Sequence, residues 1–190
     1  AGLKKLQTED KTDKGTESVP SAVWTPSNTP YSIQIGDRNC SVFISDEGGK
    51  ININKLNDLT RPDFIKFLTT YQLDEMTAET ITDSILDWID PDDFHHANGA
   101  EKDYYLSLPE PYEPKNGQLD TIEELALVKG VTPQIYEMIR ECVTVYGAGK
   151  ININFAPKEV LCFIPLITSD IADAIIEFRG KRGVKVLEDL

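Results

Sequence analysis

The first apolar pattern along the chain has a period of two residues. Residues 31–35 and 41–45 alternate between apolar and polar side chains, and residues 36–39 between them are Gly, Asp, Arg and Asn. Alternation is typical of half-buried strands, and these turn-forming residues are typical of hairpin loops. The stretch therefore predicts a β-hairpin. Residues 50–54 follow the turn sequence Asp46-Glu-Gly-Gly, alternate in the same way and predict a third strand.

From residue 57 onward the apolar positions recur with the helical period. Thr60 is expected to cap a helix that has Pro62 in its first turn. A second helix is predicted over residues 74–89, because its apolar residues follow the i, i+3/4, i+7 spacing of one buried face. Further helices are predicted where the same period resumes after a Gly, Pro or polar boundary, over residues 120–130, from Pro133 to a break at Gly147, and over residues 157–164 and 169–179.

One hexapeptide occurs twice. Residues 49–54 read Gly-Lys-Ile-Asn-Ile-Asn, and residues 149–154 read the same. Each copy leaves a glycine turn, alternates as a short strand and leads into a predicted helix. An asparagine in such a position can hydrogen-bond nearby backbone and fix the loop at the next helix start. Both copies are therefore interpreted as framework and not as a functional site.

The second copy and the residues after it, up to Arg179, resemble a helix-hairpin-helix module. Such modules usually bind DNA, because glycines in their hairpins let backbone N–H groups approach phosphates. Here the glycine positions hold Leu166 and Thr168, and the earlier hairpin keeps only Gly130. The module is therefore expected to be scaffold, and nucleic-acid binding is kept as the alternative function.

The charge of the chain weakens that alternative further. Nineteen basic and thirty-two acidic residues give a formal charge of −13, which repels phosphate backbones and anionic lipid. Twelve acidic and two basic residues lie between Asp83 and Glu124, so this stretch carries most of the negative charge. It is either a solvated acidic loop or a site for a divalent cation.

The cation hypothesis rests on the long loop over residues 91–118, which has no apolar periodicity. Calcium takes six to eight oxygen ligands, and a loop with carboxylates at alternating positions can surround it. A bound ion would also relieve the repulsion among these carboxylates. The candidate ligands are four acidic residues, with Asp87 and Asp93 as secondary candidates. The four are Asp90, Asp92, Glu101 and Asp103.

Two other metal sites are less well supported by the sequence. An EF-hand starting at Asp90 would need Asp or Asn and then Gly where the chain has Phe94 and His95. Zinc is suggested by His95 and His96, but neighbouring loop residues rarely point at one metal, and no cysteine is near. Calcium and a solvated loop remain the two interpretations.

No catalytic motif is present in the sequence, and the chain is interpreted as non-enzymatic. The three cysteines do not form a Cys-x-x-Cys pair. Cys142 and Cys162 fall on apolar faces of predicted helices, so buried free thiols are favoured over a disulfide between them.

Five segments in a fixed order carry a resemblance to a known family. They are residues 46–54, residues 85–92 (Ile-Leu-Asp-Trp-Ile-Asp-Pro-Asp), residues 99–105 (Gly-Ala-Glu-Lys-Asp-Tyr-Tyr), residues 116–125 and residues 149–161. In this order they resemble the minor pseudopilin K family of bacterial type II secretion systems, also called general secretion pathway protein K.

The resemblance implies an α+β fold: a small pilin-like antiparallel sheet with a large inserted all-helical domain that contains helix-hairpin-helix-like units. On this basis residues 31–54 and 150–190 are expected to form the pilin-like core, and residues 55–149 the insert. Residues 1–30 are expected to be a linker with the remnant of an N-terminal helix.

The resemblance also implies a function. It predicts a structural protein at the tip of the pseudopilus that assists assembly and protein export, bound to minor pseudopilins I and J. It implies one or two structural Ca²⁺ ions in the helical insert. The location it implies is the periplasm, with anchoring in the inner membrane through an N-terminal helix that this sequence lacks.

Overall fold

The structure is a computed structural model that describes Trp24 and residues 26–182. The predicted linker over residues 1–30 lies mostly outside the described residues, as does the end of the predicted core after residue 182. The strands are β1 Ser27–Ile35, β2 Arg38–Ile44, β3 Ile51–Asn52 and β4 Val143–Thr144. The helices are α1 Arg61–Thr69, α2 Glu75–Ile89, α3 Lys102–Leu106, α4 Pro133–Ile139, α5 Lys158–Phe163 and α6 Ser169–Arg182. Short 3-10 helices cover Glu47–Gly49, Ile53–Lys55 and Ile122–Leu127.

The predicted β-hairpin is confirmed. Strands β1 and β2 pair antiparallel, with Tyr31 opposite Val42 and Ile35 opposite Arg38. Gly36 has a φ of +63° in the connecting turn, a conformation that glycine adopts without a steric penalty. The chain is therefore a mixture of helices and small sheets.

The two hexapeptide copies fold differently. In the first copy, β3 pairs in parallel with β4, and Ile51 N donates to Cys142 O at 2.9 Å. This ladder is separate from the hairpin. The second copy forms a turn instead of the predicted strand, and the Phe155 N–H donates to Asn152 O. Both copies share one turn bond, in which the Oδ1 of Asn52 or Asn152 accepts from the N–H two residues later. The helix predicted from Pro133 to the break at Gly147 ends at Ile139, and Val143 pairs with the first copy.

Although they differ in conformation, the copies hold each other in place. Asn52 Nδ2 donates to the carbonyls of Tyr146 and Gly147, just before the second copy. Asn152 Nδ2 donates to Asp46 Oδ2 at 2.8 Å, just before the first copy. These reciprocal bonds use the asparagine side chains as framework, as the pattern predicted.

The apolar core lies among the helices. Phe64 and Phe67 of α1 are fully buried, as are Ile81 and Ile85 of α2. Each such side chain contributes roughly 1.5–3 kcal/mol on burial. Phe64 also contacts Phe163 of α5 edge to face at 6.4 Å, so the helices after residue 150 pack on α1. The division of the chain into a sheet core and an insert over residues 55–149 stays a prediction.

Aromatic side chains order the long loop between α2 and residue 118. Trp88 near the end of α2 meets Tyr105 of α3 edge to face at 5.2 Å, and Tyr112 packs on both rings. Tyr112 Oη donates to Leu127 O at 2.7 Å. The loop predicted to be irregular therefore contains helix α3, which is fixed against α2.

Cys142 and Cys162 are buried free thiols, as favoured by the sequence, and Cys142 Sγ lies 3.2 Å from Tyr71 Oη. Within the described residues, no helix combines the length and the apolar character needed to span a bilayer.

Candidate metal centre

Three acidic residues, two in α2 and one at its C-terminal end, face the loop that follows it. Asp83, Asp87 and Asp90 are spaced four and three residues apart, which places them on one side of a helix. Asp83 and Asp87 are fully buried, and Asp90 forms the C-cap of α2. Carboxylates on a buried helix face require partners, because an unpaired buried charge is strongly unfavourable.

Asp83 has an internal partner. Arg61 of α1 grips it with two hydrogen bonds, Nε to Oδ1 at 2.5 Å and Nη2 to Oδ2 at 3.1 Å. Asn98 N also donates to Oδ2 at 3.1 Å. Burial opposes ionisation of Asp83, but the Arg61 guanidinium holds the pKa of this carboxyl below its usual range. Asp83 therefore joins α1, α2 and the loop as a satisfied ion pair.

Asp87 is only half satisfied. Its Oδ1 accepts from His96 N at 3.0 Å and also contacts His96 Nδ1. Its Oδ2 is buried and has no hydrogen-bond partner in the described part of the chain. Gly99 packs directly on this carboxylate: a Cβ at position 99 would lie 1.9 Å from Asp87 Oδ2. The loop therefore needs glycine here to close over the acidic face.

Glu101 is a buried carboxylate that lacks hydrogen-bond partners among the described residues. The side chain is 1 % exposed, and neither Oε1 nor Oε2 has a hydrogen-bond partner among the residues that the structure describes. Burial raises its pKa to about 7, and the charges of Asp87 and Asp90 add to the effect. Without a cation, this carboxylate must either hold a proton or remain as an uncompensated buried charge.

The turn after α2 supplies further oxygens. Asp90 Oδ1 accepts from Asp92 N at 3.3 Å, and Asp92 Oδ1 accepts from Phe94 N at 2.9 Å. Asn116 Nδ2 donates to Asp92 O and to Asp93 Oδ1, whereas its own Oδ1 is buried and unpartnered within the described structure. Burial raises the pKa of Asp90, and the charges of Asp92 and Asp87 add to this.

The four predicted ligands are thus placed unequally. Glu101 and Asp90 lie in the acidic cluster that they form with Asp87, and Asp92 is exposed at its edge. Asp103 is 76 % exposed, and its Oδ1 lies 3.0 Å from His95 Nε2. Of the secondary candidates, Asp87 is central to the cluster.

Sequence reasoning missed two participants. It did not nominate Asn116, which lies far from Asp92 in the chain. It set aside His96, which the structure places on Asp87 and, through Nε2, on Asp58 Oδ1 at 3.0 Å. Burial opposes protonation of His96, but the hydrogen bonds to Asp87 and Asp58 raise its pKa overall. The sequence does contain one sign of this cluster: the spacing of Asp83, Asp87 and Asp90 by four and three residues places them on one side of a helix.

The residues present fit a hard divalent cation. Calcium prefers carboxylate and amide oxygens, and the cluster leaves oxygens of Glu101, Asp87 and Asn116 unsatisfied within the described structure. A cation in this cluster would neutralise charges that the described residues leave uncompensated.

Comparisons with known proteins identify what the chain is similar to. A family model described as type II secretion system (T2SS), protein K, matches residues 49–148. The type II secretion system protein K of Pectobacterium carotovorum subsp. carotovorum is 37% identical over 120 residues, covering 60% of this chain and 37% of that protein. The putative type II secretion system protein K of Escherichia coli strain K12 is 28% identical over 194 residues, covering 93% of this chain and 58% of that protein.

A solved structure is also similar. It is the crystal structure of the GspK-GspI-GspJ complex from the type 2 secretion system of enterotoxigenic Escherichia coli, with a TM-score of 0.60 and 22% identity. The match covers 71% of this chain and 52% of the matched chain. This likeness shows a shared fold of helices with small sheets. The chain spans 34–58% of the length of the curated relatives it matches.

Proposed function

The chain belongs to the type II secretion system protein K family, and from this premise we propose that it is a structural minor pseudopilin at the tip of the pseudopilus. In that place it assists pseudopilus assembly and protein export and performs no catalysis. The family match over residues 49–148 carries this proposal. The proposed location is the periplasmic side of the inner membrane, with anchoring through an N-terminal helix.

The proposed partners are minor pseudopilins I and J. The support is the similar crystal structure, in which GspK forms a complex with GspI and GspJ. The fold that this chain shares with that structure covers 71% of its length.

We propose that calcium stabilises the helical part of the chain, with one or two ions bound. The carboxylate of Glu101, which is buried and has no hydrogen-bond partner among the described residues, supports this most directly. Asp90 and Asp87 are the other proposed carboxylate ligands, and Asp92 contributes from the edge. Asp103 is kept in the proposed set on the sequence pattern, although its carboxylate faces His95.

The assembly proposal is tested by co-purification. The chain is mixed with the purified periplasmic parts of pseudopilins I and J from the same organism, and the mixture is separated by size-exclusion chromatography. We expect a ternary complex in millimolar Ca²⁺ and a weaker one after EDTA treatment. Separate elution of the chain under both conditions would contradict the assembly role.

Nucleic-acid binding is the weaker alternative. Gly130 has a φ of +86°, but a Cβ there would meet Ile81 Cγ1 at 3.0 Å, so packing on α2 already requires this glycine. At the second hairpin Leu166 occupies the left-handed conformation, with a φ of +69° and 93% of its surface exposed. A mobility-shift titration with duplex DNA at low salt tests this alternative. Saturable binding that weakens with salt would favour it over assembly.

A further inference from the structure

Three turns that connect consecutive helices share one backbone pattern. In each turn, a residue with a positive φ is followed two positions later by the side chain that caps the next helix. The positive-φ residues are Gln72 with φ +62°, Gly130 with φ +86° and Leu166 with φ +69°. The capping side chains accept from backbone N–H groups at 3.0, 3.3 and 3.4 Å, and belong to Asp74, Thr132 and Thr168. The three turns can therefore be compared position by position.

The residue types at two of the positive-φ positions have a direct physical reason. Glycine suits the left-handed conformation, because any other residue brings its Cβ close to the backbone. Gly130 must also be small, since a Cβ there would meet Ile81 Cγ1 at 3.0 Å, so this turn packs on α2. Gln72 is polar and exposed, as expected for a turn at the surface.

Leu166 differs from both. It is a bulky apolar residue in the left-handed region, which is strained for such a side chain, and 93% of its surface is exposed. The turn around it is held by hydrogen bonds, because Ile167 N donates to Ile164 O at 3.1 Å and Lys66 Nζ of α1 donates to Ile167 O at 3.2 Å. Leu166 therefore has an unfavourable backbone conformation and gains almost no burial in return. Strain of this kind is typical of binding sites.

The surroundings of the turn indicate which kind of surface can receive Leu166. Asp170 is exposed in the first turn of α6, and the whole chain has a formal charge of −13. These charges repel DNA phosphates and anionic lipid headgroups and attract basic side chains. The equivalent turn at Gly130 packs on the apolar side chain of Ile81 in helix α2. A protein surface is therefore favoured over nucleic acid or lipid.

We propose that the turn between α5 and α6 docks on a partner protein, with Leu166 inserted into an apolar pocket that basic side chains border. Asp170 supplies the complementary charge at the edge of the contact. Leu166 acts as the anchor, because a few side chains that become fully buried supply most of the binding energy of an interface. The hydrogen bonds of the turn are already formed in the free chain, so docking costs little conformational freedom. The proposal goes beyond the assembly function and does not depend on calcium.

The first test separates binding from folding with the variants Leu166→Asn and Leu166→Gly. Both residue types adopt the left-handed conformation more readily than leucine. We therefore expect melting temperatures that are equal to or higher than that of the wild type. A clear fall in both variants would show that Leu166 stabilises the fold, and would overturn the proposal. Leu59→Asn is the matched control, because Leu59 is also a leucine at the surface, with 89% exposure.

The second test identifies the partner and measures its affinity. A benzophenone amino acid is placed at position 166 of the protein in cells that carry the type II secretion system, and the proteins cross-linked by light are identified. Each of them is purified and titrated against the wild-type chain and the three variants. We expect one protein to bind saturably, with an affinity that falls at least about tenfold in both Leu166 variants and stays unchanged in Leu59→Asn.

Several outcomes would overturn the proposal. They are the absence of any cross-linked protein, cross-links only between copies of this chain, and equal affinity of the wild type and the Leu166 variants for every cross-linked protein. Vesicles of phosphatidylcholine, alone or mixed with phosphatidylglycerol, test lipid as the ligand, and Leu166-dependent binding to them would also overturn it. Pseudopilins I and J are titrated in the same way. Leu166-dependent binding to either would support the proposal, whereas a failure of both to bind the wild type would contradict only the assembly function.

Discussion

Asp83 of α2 and Glu101 of the loop after α2 are both buried carboxylates, but their surroundings differ. Asp83 receives Arg61 and a backbone N–H, which lower its pKa. Glu101 receives no hydrogen bond from the described residues, and its pKa rises to about 7. Arg61 neutralises the negative charge of Asp83. No described residue neutralises the charge of Glu101, which leaves that role to a bound cation.

Asp83 therefore has a structural role, whereas Glu101 has the proposed cation-binding role. The Asp83 side is locked: Asn98 N is held by Asp83, and Lys129 Nζ donates to the carbonyls of Asn98 and Gly99. These bonds fix the loop just before Glu101, so the buried carboxylate is positioned without the ion. A preorganised but uncompensated site binds a cation more tightly, because little ordering remains to be done.

The largest effect is expected from breaking the internal pair. Arg61→Met removes the partner of Asp83 and leaves a buried charge, which should lower the free energy of unfolding by about 3–5 kcal/mol. Calcium should not restore this loss, because Asp83 is not a proposed ligand. Urea unfolding in EDTA and in millimolar Ca²⁺ measures both quantities.

Lys102→Met is the control for that experiment, since Lys102 pairs with Glu113 at the surface and such exposed pairs contribute little to stability. Full recovery of the Arg61 variant in calcium would mean that the two carboxylates share one cation. Asp83 and Glu101 would then not have separate roles.

The sequence could predict the helices of this region, but it could not predict which carboxylates are buried together. The apolar period of α2 fixes the helix, and the acidic loop is visible from composition. Whether Asp87 or Asp103 faces the cluster depends on how the loop closes, which Gly99 and Arg61 decide through contacts distant in sequence. The hexapeptide shows the same dependence on distant contacts. Its two copies are identical in sequence, but only the first pairs with a strand, through contacts with Cys142 and Val143.

The second effect concerns Glu101 and pH in the absence of metal. A carboxyl group whose pKa is raised from 4.5 to about 7 keeps its proton in the folded state while the unfolded chain has already lost it. The unfolding free energy should therefore fall as pH rises from about 4.5 to about 7, and stay constant above that, with a loss of up to roughly 3 kcal/mol. Urea unfolding in EDTA across this range measures it.

Glu101→Gln sharpens this result, because the amide has no charge to bury. In EDTA at pH 8 the variant should be more stable than the wild type, and in millimolar Ca²⁺ the order should reverse. Glu110→Gln, at an exposed position, should change neither. A wild-type pH profile that matches the Glu101→Gln profile would show that the buried carboxylate is compensated in solution.

The third effect is steric. Gly99→Ala places a methyl group where Asp87 Oδ2 lies, so the loop must move away from α2, at about 1–3 kcal/mol. Calcium affinity should also fall, because Glu101 moves with the loop. Gly117→Ala is the matched control: its Cβ would meet only Lys115 O, at 3.7 Å. Thermal unfolding of both variants, with and without calcium, separates them. Equal melting temperatures would refute the close approach of Gly99 to Asp87.

The smallest effect is expected at Asp103, where the sequence pattern and the geometry disagree. Its carboxylate is largely exposed and pairs with His95, and exposed pairs contribute little. Asp103→Asn should therefore change stability by less than about 0.5 kcal/mol. Calcium affinity, measured by titration calorimetry, should stay within about twofold of the wild-type value, whereas Asp90→Asn should weaken it at least about tenfold, or about 1.4 kcal/mol. A tenfold loss in Asp103→Asn would instead place this residue among the ligands, as the sequence predicted. The loop would then have to turn Asp103 away from His95 when the ion binds, and the site would not be preorganised on that side.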